Sequence, residues 1–177
     1  MRLNRGFTLT ELLLVVMILS IVAAVAIPDF ANQESQALNI SVMEVSHALY
    51  FSRSKALQTG MPYGVRFSAD LKHIQVFRLD TSTPLPTETY DVYHPVKKSL
   101  YDVDLSALVF ANTVSLDGDF VYQGSATSYR AVAFNLRGEP ISPIDLKPLS
   151  NGVTTITDQG VSRTVTLNPV TGEPQSS

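Results

Sequence analysis

Glu11 is the residue whose setting most demands a chemical explanation. It stands in the run Phe7 to Ile27, FTLTELLLVVMILSIVAAVAI, where Thr8, Thr10 and Ser20 are the other polar residues. A carboxylate within an apolar helix is costly unless it is paired, so an intramembrane acid marks a functional site. No Lys or Arg lies between Arg5 and Arg53, so the helix holds no cation for it. The partner must come from another chain, or from an amine newly made by cutting this one.

Other residue types point to no reaction centre. The chain has no cysteine, which removes disulfides, zinc–thiolate sites, iron–sulfur clusters and thiol catalysis together. His47, His73 and His94 lack metal-ligand spacing, and no HExxH, GxSxG or P-loop pattern occurs. The expectation is therefore no enzymatic activity, no metal and no cofactor. Asp117-Gly118-Asp119 offers two calcium-type ligands, but Asp-Gly is so common in turns that a turn is expected there. Tyr90, Tyr93 and Tyr101, set among prolines, fit either an exposed recognition loop or a cover over a sheet. With 13 Lys+Arg against 16 Asp+Glu, the net charge of -3 opposes bulk attraction to nucleic acid or anionic lipid.

The elements that position Glu11 follow from patterning. A length of 177 residues, 45% of them hydrophobic, fits one domain, or one domain plus an appendage. The apolar run of 21 residues would span about 32 Å as a helix, enough for a bilayer core. Arg2 and Arg5 precede it, which predicts a cytoplasmic N-terminus and a head on the far side. Ala24-Val25-Ala26 also fits the small-x-small cleavage site of an ordinary secretory signal, and the run alone fits a plain signal anchor. Neither of those accounts for Glu11.

Pro28 predicts a kink where the apolar run ends. Leu38, Val42, Val45, Leu49, Ser52 and Ala56 then recur at helical spacing, and Gly60 with Pro62 stops the helix. The expectation is one bent helix from Phe7 to Thr59, apolar all round in its first half and amphipathic in its second. Beyond it, Tyr63–Phe67, Ile74–Leu79, Phe120–Gln123, Tyr129–Phe134, Val153–Ile156 and Arg163–Leu167 read as strands. Residues 80–106, with Pro84, Pro86 and Pro95, read as a long loop with one edge strand. The fold class is α+β, a long helix packed on antiparallel sheet. The divisions are 1–6, 7–27, 28–60 and a β-rich head over 61–177.

Gly6-Phe7-Thr8-Leu9-Thr10-Glu11, followed by Leu12 to Val16, resembles the class III signal of type IV pilins and type II secretion pseudopilins. The resemblance implies that a membrane prepilin peptidase removes residues 1–6 by cutting between Gly6 and Phe7, then methylates the Phe7 amine. Glu11 would pair with that amine on a neighbouring subunit and set register between helices. Loss of Arg2 and Arg5 takes the side-chain charge from -3 to -5. The implied localisation is the bacterial inner membrane, single-pass, with the head in the periplasm, and then a filament.

Within that class the head is similar to minor pilins and pseudopilins of the FimT/GspH type. The residues carrying this are 52–60 (SRSKALQTG), 133–140 (AFNLRGEP), 162–167 (SRTVTL) and Gly172. The likeness implies a low-copy subunit at or near a filament tip, priming assembly through contacts with other major and minor subunits. Some FimT-like proteins bind DNA through a basic Gly-Arg-x-Arg motif; here the place reads Gly172-Glu173-Pro174-Gln175. An acid in a phosphate-binding motif opposes binding. The alternative of DNA uptake then rests on Lys97, Lys98, Arg137 and Arg163, with Lys147, gathering on folding.

Overall fold

The structure, a computed structural model, describes residues 8–26, 28–108 and 111–177, with the side chains of 23–35 left aside. Two helices come first, α1 (Leu9–Ala26) and α2 (Pro28–Thr59). α1 is apolar because every residue after Glu11 except Ser20 is apolar. Pro28 occupies the first position of α2, where its missing N–H leaves no helical bond unmade. The kink predicted beside it turns on Ile27, which lies outside the described residues. Among the described residues no helix is long and apolar enough to cross a membrane. α1 covers 18 residues, about 27 Å, and both ends of the longer run, Phe7 and Ile27, lie outside the description.

The head holds two antiparallel sheets where one was expected. In the first, β1 (Tyr63–Phe67) is flanked by β2 (His73–Asp80) and β7 (Ala131–Phe134), with β8 (Pro140–Ile141) beyond β7. The outer edge of β2 takes two short strands, β3 (Thr87–Thr89) and β4 (Asp102–Asp104). The second sheet runs β11 (Pro174–Ser176), β10 (Val161–Leu167), β9 (Leu149–Asp158), β5 (Ser115–Tyr122) and β6 (Ser128–Tyr129). β9 and β10 form a hairpin on Gln159-Gly160, both at positive φ (47° and 88°), the turn geometry that matches strand twist.

α2 joins the sheets. All six residues predicted for its inner face, Leu38, Val42, Val45, Leu49, Ser52 and Ala56, are buried, and the helix packs on strands of both sheets. Each fully buried Leu or Val contributes roughly 1.5–3 kcal/mol. A smaller apolar cluster of Phe77, Leu79, Ala131, Ala133 and Ile141 lies apart from the main core.

Several expectations are corrected. The stretch 129–134 is two strands, because the chain leaves the second sheet at Tyr129, exposes Arg130, and enters the first at Ala131. Such a change of sheet at a bend is how sheet corners are made. Residues 80–106 hold two edge strands, not one, joined by a hairpin-like strap. Asp117-Gly118-Asp119 is not a turn: it pairs with Thr155, Thr154 and Val153 in mid-strand. The glycine serves packing, since a Cβ there would lie 2.6 Å from Phe67 Cδ2 and 3.0 Å from Phe120 Cε2. Gly118→Val should therefore destabilise the full chain by about 1–3 kcal/mol through overpacking, read as a lower urea midpoint in detergent.

Candidate functional site

Glu11 sits at the start of α1 and is exposed. Its Oε2 accepts hydrogen bonds from the Thr8 N–H (3.0 Å) and the Thr8 hydroxyl (2.9 Å). The Glu11 N–H in turn donates to Thr8 Oγ1 at 3.3 Å. This is a reciprocal capping box, with Thr8 as N-cap and Glu11 three residues on. Sequence reasoning missed this role of Thr8, although the pattern Thr-x-x-Glu before an apolar run spells it. Glu11 Oε1 makes no hydrogen bond among the described residues, so half of the carboxylate stays open. Gly6 and Phe7, the predicted processing site, lie outside the described residues.

The cations do not gather into one patch. Arg137 pairs with Glu139 at 3.0 Å, and Lys147 pairs with Asp145 at 2.9 Å. Arg163 Nη1 donates to Asn39 Oδ1 at 2.5 Å, while Lys97 lines a groove with Glu44. Asn39 and Glu44 are five residues apart on α2, about 140° around the helix, so Arg163 and Lys97 lie on different flanks. Where a basic motif would stand, Gly172 is buried at φ 68°, beside the Gly138 carbonyl and the Phe134 ring. Among the described residues no group of three or more metal-ligating side chains is placed to hold an ion.

The three tyrosines separate. Tyr101 is 4% exposed and belongs to the core, whereas Tyr93 is 63% exposed. Tyr90 leans on Phe77, with ring centroids 5.9 Å apart, and its hydroxyl donates to Glu88 Oε2. Tyr93 and Tyr101 belong to the strap from Asp91 to Asp102, which is tied to β2 at both ends. Arg78 Nη2 meets Asp91 Oδ2 at 2.7 Å, and His73 Nδ1 meets Asp102 Oδ1 at 2.8 Å.

Residues 1–27 match the prokaryotic N-terminal methylation motif. The type IV major pilin PilA of Myxococcus xanthus (strain DK1622) is 33% identical over 100 residues, covering 47% of this chain and 45% of that pilin. The chain thus spans less than half the length of that curated relative. The minor pseudopilin EpsH of the type II secretion system of Vibrio cholerae superposes with a TM-score of 0.51 at 14% identity, over 79% of this chain and 95% of that one. The type IV minor pilin FimU of Pseudomonas aeruginosa (strain PAO1) gives 0.47 at 13% identity, over 81% and 90%. The chain therefore carries the N-terminal motif of prepilin-type proteins and the α+β pilin-like fold of a minor pseudopilin. Prepilin-type proteins are anchored in the inner membrane and then assembled into pili or pseudopili.

Two histidines set how the strap responds to pH. His94 Nδ1 accepts the N–H of Val96 at 3.1 Å and of Lys97 at 3.2 Å, so the ring must be neutral there. Burial, and then the charge of Lys97, hold it below its ordinary 6.5, with Glu44 opposing. Its contribution is complete above 6.5 and is lost as pH falls through the lowered value. His73 has the opposite sign: the hydrogen bond to Asp102 raises it most, the charges of Asp102, Asp70 and Asp104 add, and desolvation opposes. Its contribution is complete below 6.5 and is lost as pH rises through the raised value. Acidification below about pH 6.5 should thus lower amide-exchange protection at Val96 and Lys97. His94→Ala should abolish that pH dependence.

Thr8→Ala should weaken the first turn of α1 by about 1 kcal/mol, and Thr8→Ser should restore it. Amide exchange at Glu11 in detergent reads both.

Proposed function

We propose that this chain is a minor pilin or pseudopilin subunit. In this reading it enters the inner membrane as a precursor with its head in the periplasm. Prepilin peptidase cuts between Gly6 and Phe7 and methylates the Phe7 amine. The subunit then joins a type IV pilus or a type II secretion pseudopilus at or near the tip, where it primes assembly. The observation that carries the reading is Glu11 at the head of an apolar helix, within the methylation motif over residues 1–27.

α1 exposes its apolar side chains along the whole described length, from Leu9 to Val22, a surface fit for lipid or other apolar helices and not for water. Cutting before Phe7 would remove Arg2 and Arg5 and create one amine close to the Glu11 level. With Oε2 engaged by Thr8, Oε1 is free for the corresponding amine of an adjoining subunit. One ion pair per neighbour would fix the axial offset between helices, while van der Waals contact supplies most of the adhesion.

Glu11→Ala should leave insertion and cleavage intact and reduce recovery in sheared filaments by about tenfold or more. An amine left unpaired in hydrocarbon costs roughly 3–5 kcal/mol. Equal recovery of variant and parent would refute the register role. Mass spectrometry of the filament fraction should find chains starting at a methylated Phe7; chains starting at Ile27 would refute the subunit reading altogether.

A further inference from the structure

The Lys and Arg side chains of this protein are nearly all engaged within it. Eleven fall among the described residues, since two of the 13 are Arg2 and Arg5. Arg66, Arg78, Arg130, Arg137 and Lys147 sit in ion pairs. Arg53 and Lys72 donate to backbone carbonyls, Arg163 donates to Asn39, and Lys55 lies over the Phe51 ring. Among the described residues, the two ammonium groups with no hydrogen bond, ion pair or aromatic ring contact are neighbours, Lys97 and Lys98.

The fold holds these two in a built position. Between Asp91 and Asp102 the chain folds into a hairpin, with Tyr101 N–H donating to Val92 O and His94 N–H to Ser99 O, at 2.7 and 2.8 Å. Val92 and Tyr101 anchor its base in the core. Lys98 takes a left-handed backbone conformation, φ 54°, which is rare for a residue with a side chain. The tip presents Val96, 81% exposed, beside Tyr93 and Leu100. Between the hairpin and the outer face of α2 runs a groove of about 470 Å³, with Tyr50, Phe51, Pro95 and Val96 among its walls and Lys97 at its rim.

We propose that this hairpin and groove dock an acidic segment of another protein, whose aliphatic or aromatic side chains enter the groove while its carboxylates meet Lys97 and Lys98. Charge complementarity argues for the carboxylates. Exposed Val96, Tyr93 and Leu100 argue for an apolar anchor, the usual core of such contacts. A nucleic acid fits less well, because two lysines release few counterions. This goes beyond the filament-subunit reading and stands even if Glu11 has no role in register.

The test uses the full chain in its own host, with a photoreactive residue at Tyr93, or at exposed Val170 as control. The expected Tyr93 adduct is to another protein, and its sequenced fragment carries carboxylates beside aliphatic or aromatic residues. Lys97→Glu with Lys98→Glu should lower that adduct about tenfold, as expected when attraction becomes repulsion. Val170 adducts should be unchanged, and Lys97→Arg with Lys98→Arg should retain the Tyr93 adduct. The proposal is overturned by an adduct indifferent to charge reversal, one destroyed by nuclease, one confined to copies of this chain, a fragment without carboxylates, or no adduct.

Discussion

The inner strip of α2 is the contact on which the head depends. Two separate antiparallel sheets share this one helix as cover for their core faces, so neither is complete without it. Close approach is possible because the strip ends in small residues, Ala48, Ser52 and Ala56, all fully buried. The hydroxyl of Ser52 is satisfied by donating to the Ala48 carbonyl at 2.8 Å, with the Gly64 carbonyl of β1 at 3.4 Å. A buried polar group without such an acceptor would cost more than the hydrogen bond is worth.

The two helices meet water in opposite ways. α2 separates an apolar face from a polar one and is stable because the apolar face is covered. α1 has no such division, and in the single chain its described apolar side chains, from Leu9 to Val22, are exposed. A soluble monomer gains nothing from that arrangement; a chain completed by lipid or by other helices does. Glu11 fits the same logic. It stabilises its own first turn through Thr8 with one oxygen, and in the proposed assembly the other is open to a charge that the helix itself lacks.

The α2 face was readable in the sequence because one helix covering one core imposes a strict period, and Leu38 through Ala56 obey it. The β1 strand was readable for a similar reason, being bounded by Pro62 on one side and Ala69-Asp70 on the other. What escaped depends on tertiary contact. Asp-Gly-Asp has turn composition, yet Gly118 is needed because the Phe67 and Phe120 rings crowd its Cα, and no local rule registers a ring such as Phe67 arriving from the other sheet. The break at Arg130 looks like ordinary alternation until Tyr129 and Ala131 pair with different sheets. The strap around Tyr93 is polar and interrupted by Pro95, and its order comes from Arg78 and His73 holding its two ends. Thr8 differs from these, since its capping pattern is local and was there to be read.

The distribution of charge then acquires a meaning that composition hides. Exposed ion pairs such as Arg130–Asp117 and Arg137–Glu139 contribute only about 0–1 kcal/mol each to stability, so the fold does not require them. Their larger effect is to quench local fields, each of these paired cations answered by a nearby acid. Against a net negative chain so quenched, an unanswered pair of lysines stands out electrically even though two charges are few. Those lysines also ride on a hairpin tied at both ends, so the backbone that carries them is placed before any partner arrives. A surface that engages its other cations internally and leaves two of them unengaged beside an apolar groove offers its available positive charge at one place.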